Sequence, residues 1–159
     1  MAIKTRQGSE SQILSVGAYR PKRLVPNSEI VDKIESNDEW IQQRTGIASR
    51  RFADASESLL DMACWATEDA LKKAKLSIED IDTVIVATIT FPFQAPSAAT
   101  ALLQRLGNPK AAAFDINAAC AGFCYGVSMA HDFVKAGTSK KVLVIGAETL
   151  TDFVDPSDR

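Results

Sequence analysis

Three runs of aliphatic and β-branched residues in the second half of the chain predict buried strands. They are DTVIVATIT at 82–90, AAAFDI at 111–116 and KVLVIGAE at 141–148. Between them, SAATALLQRLG at 97–107 and CAGFCYGVSMAHDFVKAG at 120–137 space their apolar residues with a helical period. Strands that alternate with helices in this way predict an α/β domain whose sheet is mainly parallel.

The first half of the chain predicts one strand, followed by helices that begin at polar residues. SQILSVGAYRP at 11–21 reads as a strand that Pro21 ends. A short helix is expected after Asn27, and a second one between Asn37 and Gly46, because Asn is a good N-cap and Gly a good helix terminator. A long amphipathic helix then follows, for which Ser56 is the predicted N-cap.

The helix predicted after Cys120 is apolar around most of its circumference. The apolar positions are Ala121, Phe123, Cys124, Tyr125, Val127, Met129, Ala130, Phe133 and Val134. A helix of this kind must be buried on more than one side. We therefore expect it to lie between two sheets, of which a chain of 159 residues supplies one. In the isolated chain one face of this helix is expected to be uncovered.

Composition narrows the class of protein. Apolar residues make up 46% of the chain, which is ordinary for a globular domain, and the net charge of -2 favours no nucleic-acid surface. The apolar runs are shorter than a membrane span, and residues 1–10 form a polar tail that lacks the apolar core of a secretory signal. We expect a flexible tail at 1–10 and one domain over 11–159.

The three cysteines predict a reducing, cytoplasmic location, because an odd number scattered among helices makes a poor disulfide framework. No metal is expected, since the only histidine, His131, has no ligand-spaced partners. His131 lies eleven residues after Cys120 on the same predicted helix, on the order of 16 Å away at the rise of an α-helix. It is therefore interpreted as a structural or surface residue rather than as a base for Cys120.

Cys120 is the candidate nucleophile. It stands between a predicted strand and a predicted helix, and a thiol at a helix N-terminus feels unpaired N–H groups and the positive end of the macrodipole. Both favour the reactive thiolate, and the same N–H groups can stabilise an oxyanion during acyl transfer. The alternative is that Cys120 is a buried apolar residue, which is the common fate of a free cysteine. For Cys64 and Cys124 a packing role is the favoured interpretation.

Trp40 and Arg44 form a second candidate site. They are four residues apart on one predicted helix, so their side chains can meet on one face. An indole and a guanidinium offer flat surfaces between which a nucleobase could stack. On spacing alone, an intrahelical cation–π pair that covers the core and binds no ligand is the favoured interpretation.

Three segments together resemble beta-ketoacyl-ACP synthase III, a condensing enzyme of the thiolase superfamily that initiates type II fatty acid synthesis. They are SNDEWIQQRTGIASRRF at 36–52, DINAACAGF at 115–123 and DPSDR at 155–159. The resemblance implies a thiolase-like fold in which two similar halves stack as five αβαβα layers around mainly parallel mixed sheets. This chain resembles the first half only.

The resemblance also implies roles for individual residues. Cys120 would be the acylated nucleophile, while the His and Asn that assist it would lie in the second half and have no counterpart here. Trp40 and Arg44 would flank the adenine of coenzyme A, Arg159 would contact the same nucleotide, and Ser36 would lie near the coenzyme.

The implied reaction has two stages. The Cys120 thiolate takes an acyl group from acyl-CoA, and malonyl-acyl carrier protein then condenses with it by decarboxylation to give 3-oxoacyl-ACP. No tightly bound cofactor is expected, since coenzyme A enters and leaves as part of the substrate. The resemblance further implies a homodimer, in which the loop 91–96 reaches across to the partner and the strand 111–116 lies at the twofold axis.

Two alternatives remain open from the sequence. A half-fold without a base for its cysteine could be a non-catalytic interaction module that pairs with a complete subunit. A related condensing enzyme of polyketide or quinolone type could use the same cysteine turn. Since the second half is absent from this sequence, the chain alone is expected to be inactive in the complete reaction.

Overall fold

The computed structural model describes residues 11–155 and 157, and its centre is a three-stranded parallel sheet. The predicted tail at 1–10 and Arg159 lie outside the described residues. Strand β3 (Thr83–Ala87) runs between β4 (Ala112–Ile116) and β5 (Val142–Gly146), in the order β4-β3-β5. The three predicted strands and their parallel pairing are therefore confirmed.

Alternate residues of β3 face opposite layers, as the two-residue period of a strand requires. Val84 and Val86 are 0% and 1% exposed and belong to the core that the sheet forms with two helices, α3 (Leu59–Ala74) and α4 (Ala98–Leu106). Ile85 is 0% exposed and points the other way, towards the helix α5 (Gly122–Ala136). The sheet thus has helices on both faces.

Helix α5 meets the sheet through a glycine and leaves much of its apolar surface in solvent. A Cβ at Gly126 would lie 2.8 Å from Cγ1 of Val144, so only glycine allows this approach. Phe123, Tyr125 and Val127 are 49%, 58% and 36% exposed. The uncovered apolar face expected from the sequence is confirmed in the described part of the chain.

A second, two-stranded sheet packs beside this unit. Strand β1 (Arg23–Pro26) pairs antiparallel with β2 (Ser49–Phe52), and the helices α1 (Ser28–Val31) and α2 (Asp38–Thr45) lie between them in sequence. As predicted, Asn37 caps α2, accepting a hydrogen bond from the Trp40 N–H at 2.8 Å. Gly46 ends α2 with φ 71°, a left-handed conformation that favours glycine.

Two predicted side-chain caps were wrong. Asn27 stands at the N-cap position of α1, but its Oδ1 accepts from the Arg50 guanidinium at 3.0 Å instead of from the first turn of the helix. Its amide NH₂ donates to Asp38 and to the Ile47 carbonyl, both at 2.7 Å. Helix α3 is capped by Ser58 rather than by Ser56. In each case another hydrogen bond claimed the polar side chain: the Ser56 hydroxyl donates to Asp54, and Asp61 completes a capping box with Ser58.

The strand predicted over residues 11–21 was also wrong, since no strand is assigned there. The segment lies along α3 and is held by hydrogen bonds to that helix rather than by a ladder. The Ser15 hydroxyl donates to the Ala70 carbonyl at 2.7 Å, and the Ala18 N–H donates to Asp69 at 3.0 Å. Alternating residues make a strand only where a neighbouring strand accepts its backbone groups.

Within the described ranges no helix is both long and apolar enough to cross a membrane.

Candidate active site

Cys120 lies at the carboxyl edge of the parallel sheet, where ligand sites of open α/β folds are found. Strand β4 ends at Ile116, a 3-10 turn covers Ala119–Ala121, and α5 begins at Gly122. The helix therefore starts two residues later than the predicted start at Cys120. The Cys120 side chain sits in the turn that leads into α5 and is exposed, so the burial alternative is wrong for the described structure.

The residue before the cysteine has a strained backbone. Ala119 has φ 44°, a left-handed conformation that costs a non-glycine residue roughly 1–2 kcal/mol. The chain must leave β4 and enter α5 within five residues, 117–121, and this conformation turns it sharply. Strain of this kind is found at functional sites, where the surrounding structure enforces it.

Close packing against the strand ends holds the turn in place. A Cβ on Gly122 would lie 3.0 Å from the Cβ of Ala87, the last residue of β3. A Cβ on Gly146, at the end of β5, would lie 3.4 Å from the ring of Phe123. The cysteine turn thus rests directly on the carboxyl ends of two neighbouring strands.

Asp115, in β4, ties this edge to α4. Its carboxylate accepts hydrogen bonds from the N–H groups of Ala98 and Ala99 at 2.7 and 2.8 Å. These N–H groups belong to the first turn of α4 and have no partner within that helix. The negative charge also complements the positive end of the helix. Sequence reasoning did not single out Asp115, although it lies five residues before Cys120.

Trp40 and Arg44 meet on α2 as predicted. The Arg44 guanidinium carbon lies 5.6 Å from the centroid of the Trp40 ring, within cation–π range. Trp40 is 40% exposed, and Arg44 is also exposed. Both flat surfaces are therefore partly accessible. This geometry fits either a ligand-binding pair or the ligand-free pair that the sequence left open.

Ser36, which the resemblance places near the coenzyme, directly precedes the N-cap of α2 and is partly buried. Its hydroxyl oxygen is buried and has no hydrogen-bond partner within the described residues.

The other reactive side chains fall into three environments. His131 is on the surface of α5, as predicted, and its Nδ1 lies 2.7 Å from the Ser11 hydroxyl oxygen. Cys64 packs against the core as predicted, and burial raises the pKa of its thiol. The packing role predicted for Cys124 was wrong, because that side chain is exposed on the uncovered side of α5.

A cavity of about 460 Å³ lies between the segment 17–21, α3 and the end of β5. The residues that line it include Tyr19, Pro21, Met62, Ala66, Glu148 and Thr149. Cys120, Trp40 and Arg44 are not among its lining residues. The cysteine is thus reached from the open surface and not through this cavity.

These features are similar to those of known proteins. The family model described as 3-oxoacyl-[acyl-carrier-protein (ACP)] synthase III matches residues 114–159, which include the cysteine turn. A beta-ketoacyl-[acyl-carrier-protein] synthase III of Kocuria rhizophila is 48% identical over 151 residues, or 95% of this chain and 42% of the relative. The chain spans less than half the length of the curated relatives it matches.

Solved structures agree with this result. The 3-oxoacyl-[acyl-carrier-protein] synthase III of Aquifex aeolicus superposes with a TM-score of 0.90 at 42% identity, covering 93% of this chain and 48% of that one. The priming beta-ketosynthase of the R1128 polyketide pathway gives a TM-score of 0.91 at 41% identity, covering 98% and 47%. The predicted family resemblance and the thiolase-like α/β fold are confirmed.

Proposed function

We propose that this chain is the part of a beta-ketoacyl-ACP synthase III, an acyltransferase, that carries the nucleophile. The chain matches about half of such an enzyme in sequence and in fold. Cys120 is the residue that receives the acyl group. The observation that carries this proposal is the exposed thiol on a strained turn, at the carboxyl edge of the sheet and at the entrance to α5.

In the first stage the Cys120 thiolate attacks the thioester carbonyl of an acyl-CoA. The tetrahedral intermediate collapses, the coenzyme A thiolate leaves, and the acyl group stays on the cysteine sulfur. The N-cap residue of α5, Ala121, supplies no side-chain hydrogen bond to the first turn of the helix. The Gly122 N–H already donates to the Ala119 carbonyl, so we propose that other N–H groups of this first turn stabilise the oxyanion of the intermediate.

Trp40 and Arg44 are proposed to bind the adenine of coenzyme A. Their 5.6 Å contact joins an aromatic ring to a guanidinium at an exposed site, and both surfaces suit stacking with a base. Arg159, outside the described residues, and Ser36 are proposed to contribute to the same nucleotide site.

In the second stage malonyl-acyl carrier protein loses carbon dioxide, and the resulting carbanion equivalent attacks the thioester on Cys120 to give 3-oxoacyl-ACP. This stage needs groups that stabilise the developing charge. His131 is poorly placed for it, because it bonds to Ser11 on the surface of α5. We therefore propose that the second stage uses residues of the remaining half of the fold, in a homodimer in the cytoplasm.

A priming condensation in polyketide synthesis is the second candidate function. It is favoured by the similarity to the priming beta-ketosynthase of the R1128 pathway. The nucleophile and the first stage are the same in both proposals, and the two differ in the acyl carrier protein that accepts the product.

Incubation with acetyl-CoA or isobutyryl-CoA, followed by peptide-resolved mass spectrometry, tests the proposal. The chain is used alone and joined to the remaining part of the Kocuria rhizophila relative. We expect an acyl adduct on Cys120, which Cys120→Ala abolishes and the matched control Cys124→Ala retains. Trp40→Ala is expected to raise the acyl-CoA concentration needed for half-saturation more than it lowers the maximal rate. An adduct absent from both proteins, or located on Cys124, would refute the proposal.

A further inference from the structure

One buried amide group binds the chain at both ends of the helix that carries Trp40 and Arg44. Asn27 follows β1 and is 1% exposed. Its NH₂ group donates to the carboxylate of Asp38, the first residue of α2, at 2.7 Å. The same group donates to the carbonyl of Ile47, which follows the C-cap of α2, also at 2.7 Å. The whole of α2 thus lies between two hydrogen bonds that start from one side chain.

The orientation of this amide follows from the chemistry of its partners. The Asp38 carboxylate and the Ile47 carbonyl can only accept hydrogen bonds. The Arg50 guanidinium, which donates to the amide oxygen at 3.0 Å, can only donate. Exchanging the amide oxygen and the NH₂ group would therefore set the oxygen against two acceptors and the NH₂ group against a cation. Because Arg50 belongs to β2, the same amide also connects α2 to the two-stranded sheet.

These hydrogen bonds matter because α2 buries little apolar surface. Of the residues of α2, all of which the structure describes, only Ile41 is buried, at 5% exposed. Asn27, by contrast, is anchored through its own backbone, since its N–H donates to the Ala48 carbonyl at 3.2 Å. Trp40 and Arg44 share this short helix, so the direction in which their flat surfaces face depends on the hydrogen bonds at its two ends.

We propose that Asn27 is a positioning residue for the nucleotide site of Trp40 and Arg44. By binding both ends of α2, it fixes the direction in which the indole and the guanidinium face, and the adenine of an acyl-CoA meets a pre-arranged pair. Asn27 is buried, so it acts through the helix and not on the ligand. The role in nucleotide binding rests on the proposed function, whereas the effect on Trp40 does not.

The two tryptophans of the chain allow the placement of α2 to be measured without a ligand. With 5-fluorotryptophan incorporated, fluorine NMR reads Trp40 on α2 separately from Trp65 on α3. Asn27→Asp removes both donors and sets a second carboxylate against that of Asp38. We expect the Trp40 resonance to move by more than its line width or to split, while the Trp65 resonance keeps its position.

Acylation of Cys120 by acetyl-CoA reports on nucleotide binding. The chain is again used alone and joined to the remaining part of the Kocuria rhizophila relative. In Asn27→Asp the half-saturating concentration should rise roughly tenfold, the scale set by loss of one hydrogen bond to a charged group. The maximal rate should change by less than about twofold, since a saturating donor selects the correctly placed helix.

Asn108→Asp is the matched control. Asn108 is 4% exposed, and its NH₂ group also donates to two acceptors, the carbonyls of Ile78 and Ile81 at 2.8 and 3.1 Å. The change is chemically the same but falls in the sheet unit. It should lower the free energy of unfolding and leave both the Trp40 resonance and the half-saturating concentration unchanged.

Two further variants complete the test. In Asn27→Asp/Asp38→Asn the NH₂ group stands on α2 and donates to the new carboxylate, and the oxygen beside it can still accept from Gln42, as Asp38 does at 2.6 Å. One of the two hydrogen bonds is thus restored, so the Trp40 resonance should return part of the way. Arg50→Met keeps both donors but removes the group that orients the amide, so it should shift the resonance by less. It decides the matter if Asn27→Asp does not fold.

An unmoved Trp40 resonance in Asn27→Asp would overturn the proposal. So would an equal shift at Trp65 or in Asn108→Asp, because either result indicates general loosening. A moved resonance with an unchanged half-saturating concentration would overturn the role in nucleotide binding. Fluorine NMR requires no acyl transfer. If acetyl-CoA leaves no adduct on Cys120 while the Trp40 resonance moves, the proposed function fails and the positioning of α2 by Asn27 stands.

Discussion

The link between Asp115 and α4 can be tested by the change Asp115→Asn, which keeps the size of the side chain and removes its charge. The carboxylate accepts from the N–H groups of Ala98 and Ala99 at 2.7 and 2.8 Å. An asparagine oxygen can accept one of these hydrogen bonds, but the amide NH₂ then faces the other N–H group. Both alanines are 0% exposed, so that N–H group cannot turn to water.

The expected cost has two parts. Leaving one buried N–H group without a partner costs about 1–3 kcal/mol. Losing a negative charge at the N-terminus of α4 costs about 0.3–1 kcal/mol more. We therefore expect Asp115→Asn to lower the free energy of unfolding by roughly 1–4 kcal/mol, a large share of the 5–15 kcal/mol typical of a domain.

Urea denaturation followed by circular dichroism measures this loss. Asp132→Asn is the matched control, since Asp132 is exposed on α5 and should change the free energy of unfolding by less than about 0.5 kcal/mol. If Asp115→Asn were as harmless as Asp132→Asn, the two hydrogen bonds would not anchor α4 to β4. An altered dependence on urea would instead indicate a change in the compactness of the native or unfolded chain.

Two further predictions concern the stability of the sheet unit. Leu102→Ala should cost about 3–5 kcal/mol in urea denaturation, because Leu102 is 0% exposed in the core, whereas Leu24→Ala at a half-exposed site should cost far less. Hydrogen bonds from the Lys141 and Lys140 N–H groups lower the pKa of Asp82 below its ordinary 3.8, so its contribution is present above that value and lost as the pH falls through the folded-state pKa. Unfolding measured between about pH 5 and pH 2 should therefore show a shallower acid loss in Asp82→Asn.

Local patterns were sufficient to predict the parallel sheet. Apart from Thr83 and Asp115, the runs that became β3, β4 and β5 are apolar, which is the pattern of strands covered by helices on both faces. The apolar circumference of α5 likewise predicted an uncovered face, seen at Phe123 and Tyr125. These predictions succeeded because the spacing of apolar residues within a segment indicates which of its faces leave water.

Predictions that depended on a distant partner failed. Residues 11–21 alternate like a strand, yet they form hydrogen bonds to α3, and no residue within the segment indicates that a helix is the partner. Asn27 stands where an N-cap is expected, but its side-chain oxygen accepts from Arg50, twenty-three residues away. A polar side chain satisfies the partner that the tertiary structure brings, and local sequence cannot rank those partners.

The same distinction between local and distant features applies to the candidate site. Cys120 could be found from the sequence, because a small, uncharged turn between a strand and a helix is a local feature. Glu148, whose carboxylate accepts hydrogen bonds from residues 88–90, could not be found, because these donors lie about sixty residues away and reach it only when β3 and β5 pair. The register sets Ala87 opposite Gly146, so the residues that follow each strand, 88–90 and 148, meet at one edge. Pairing of the buried strands β3 and β5 thus brings together polar groups at this edge of the sheet that no local pattern could have identified.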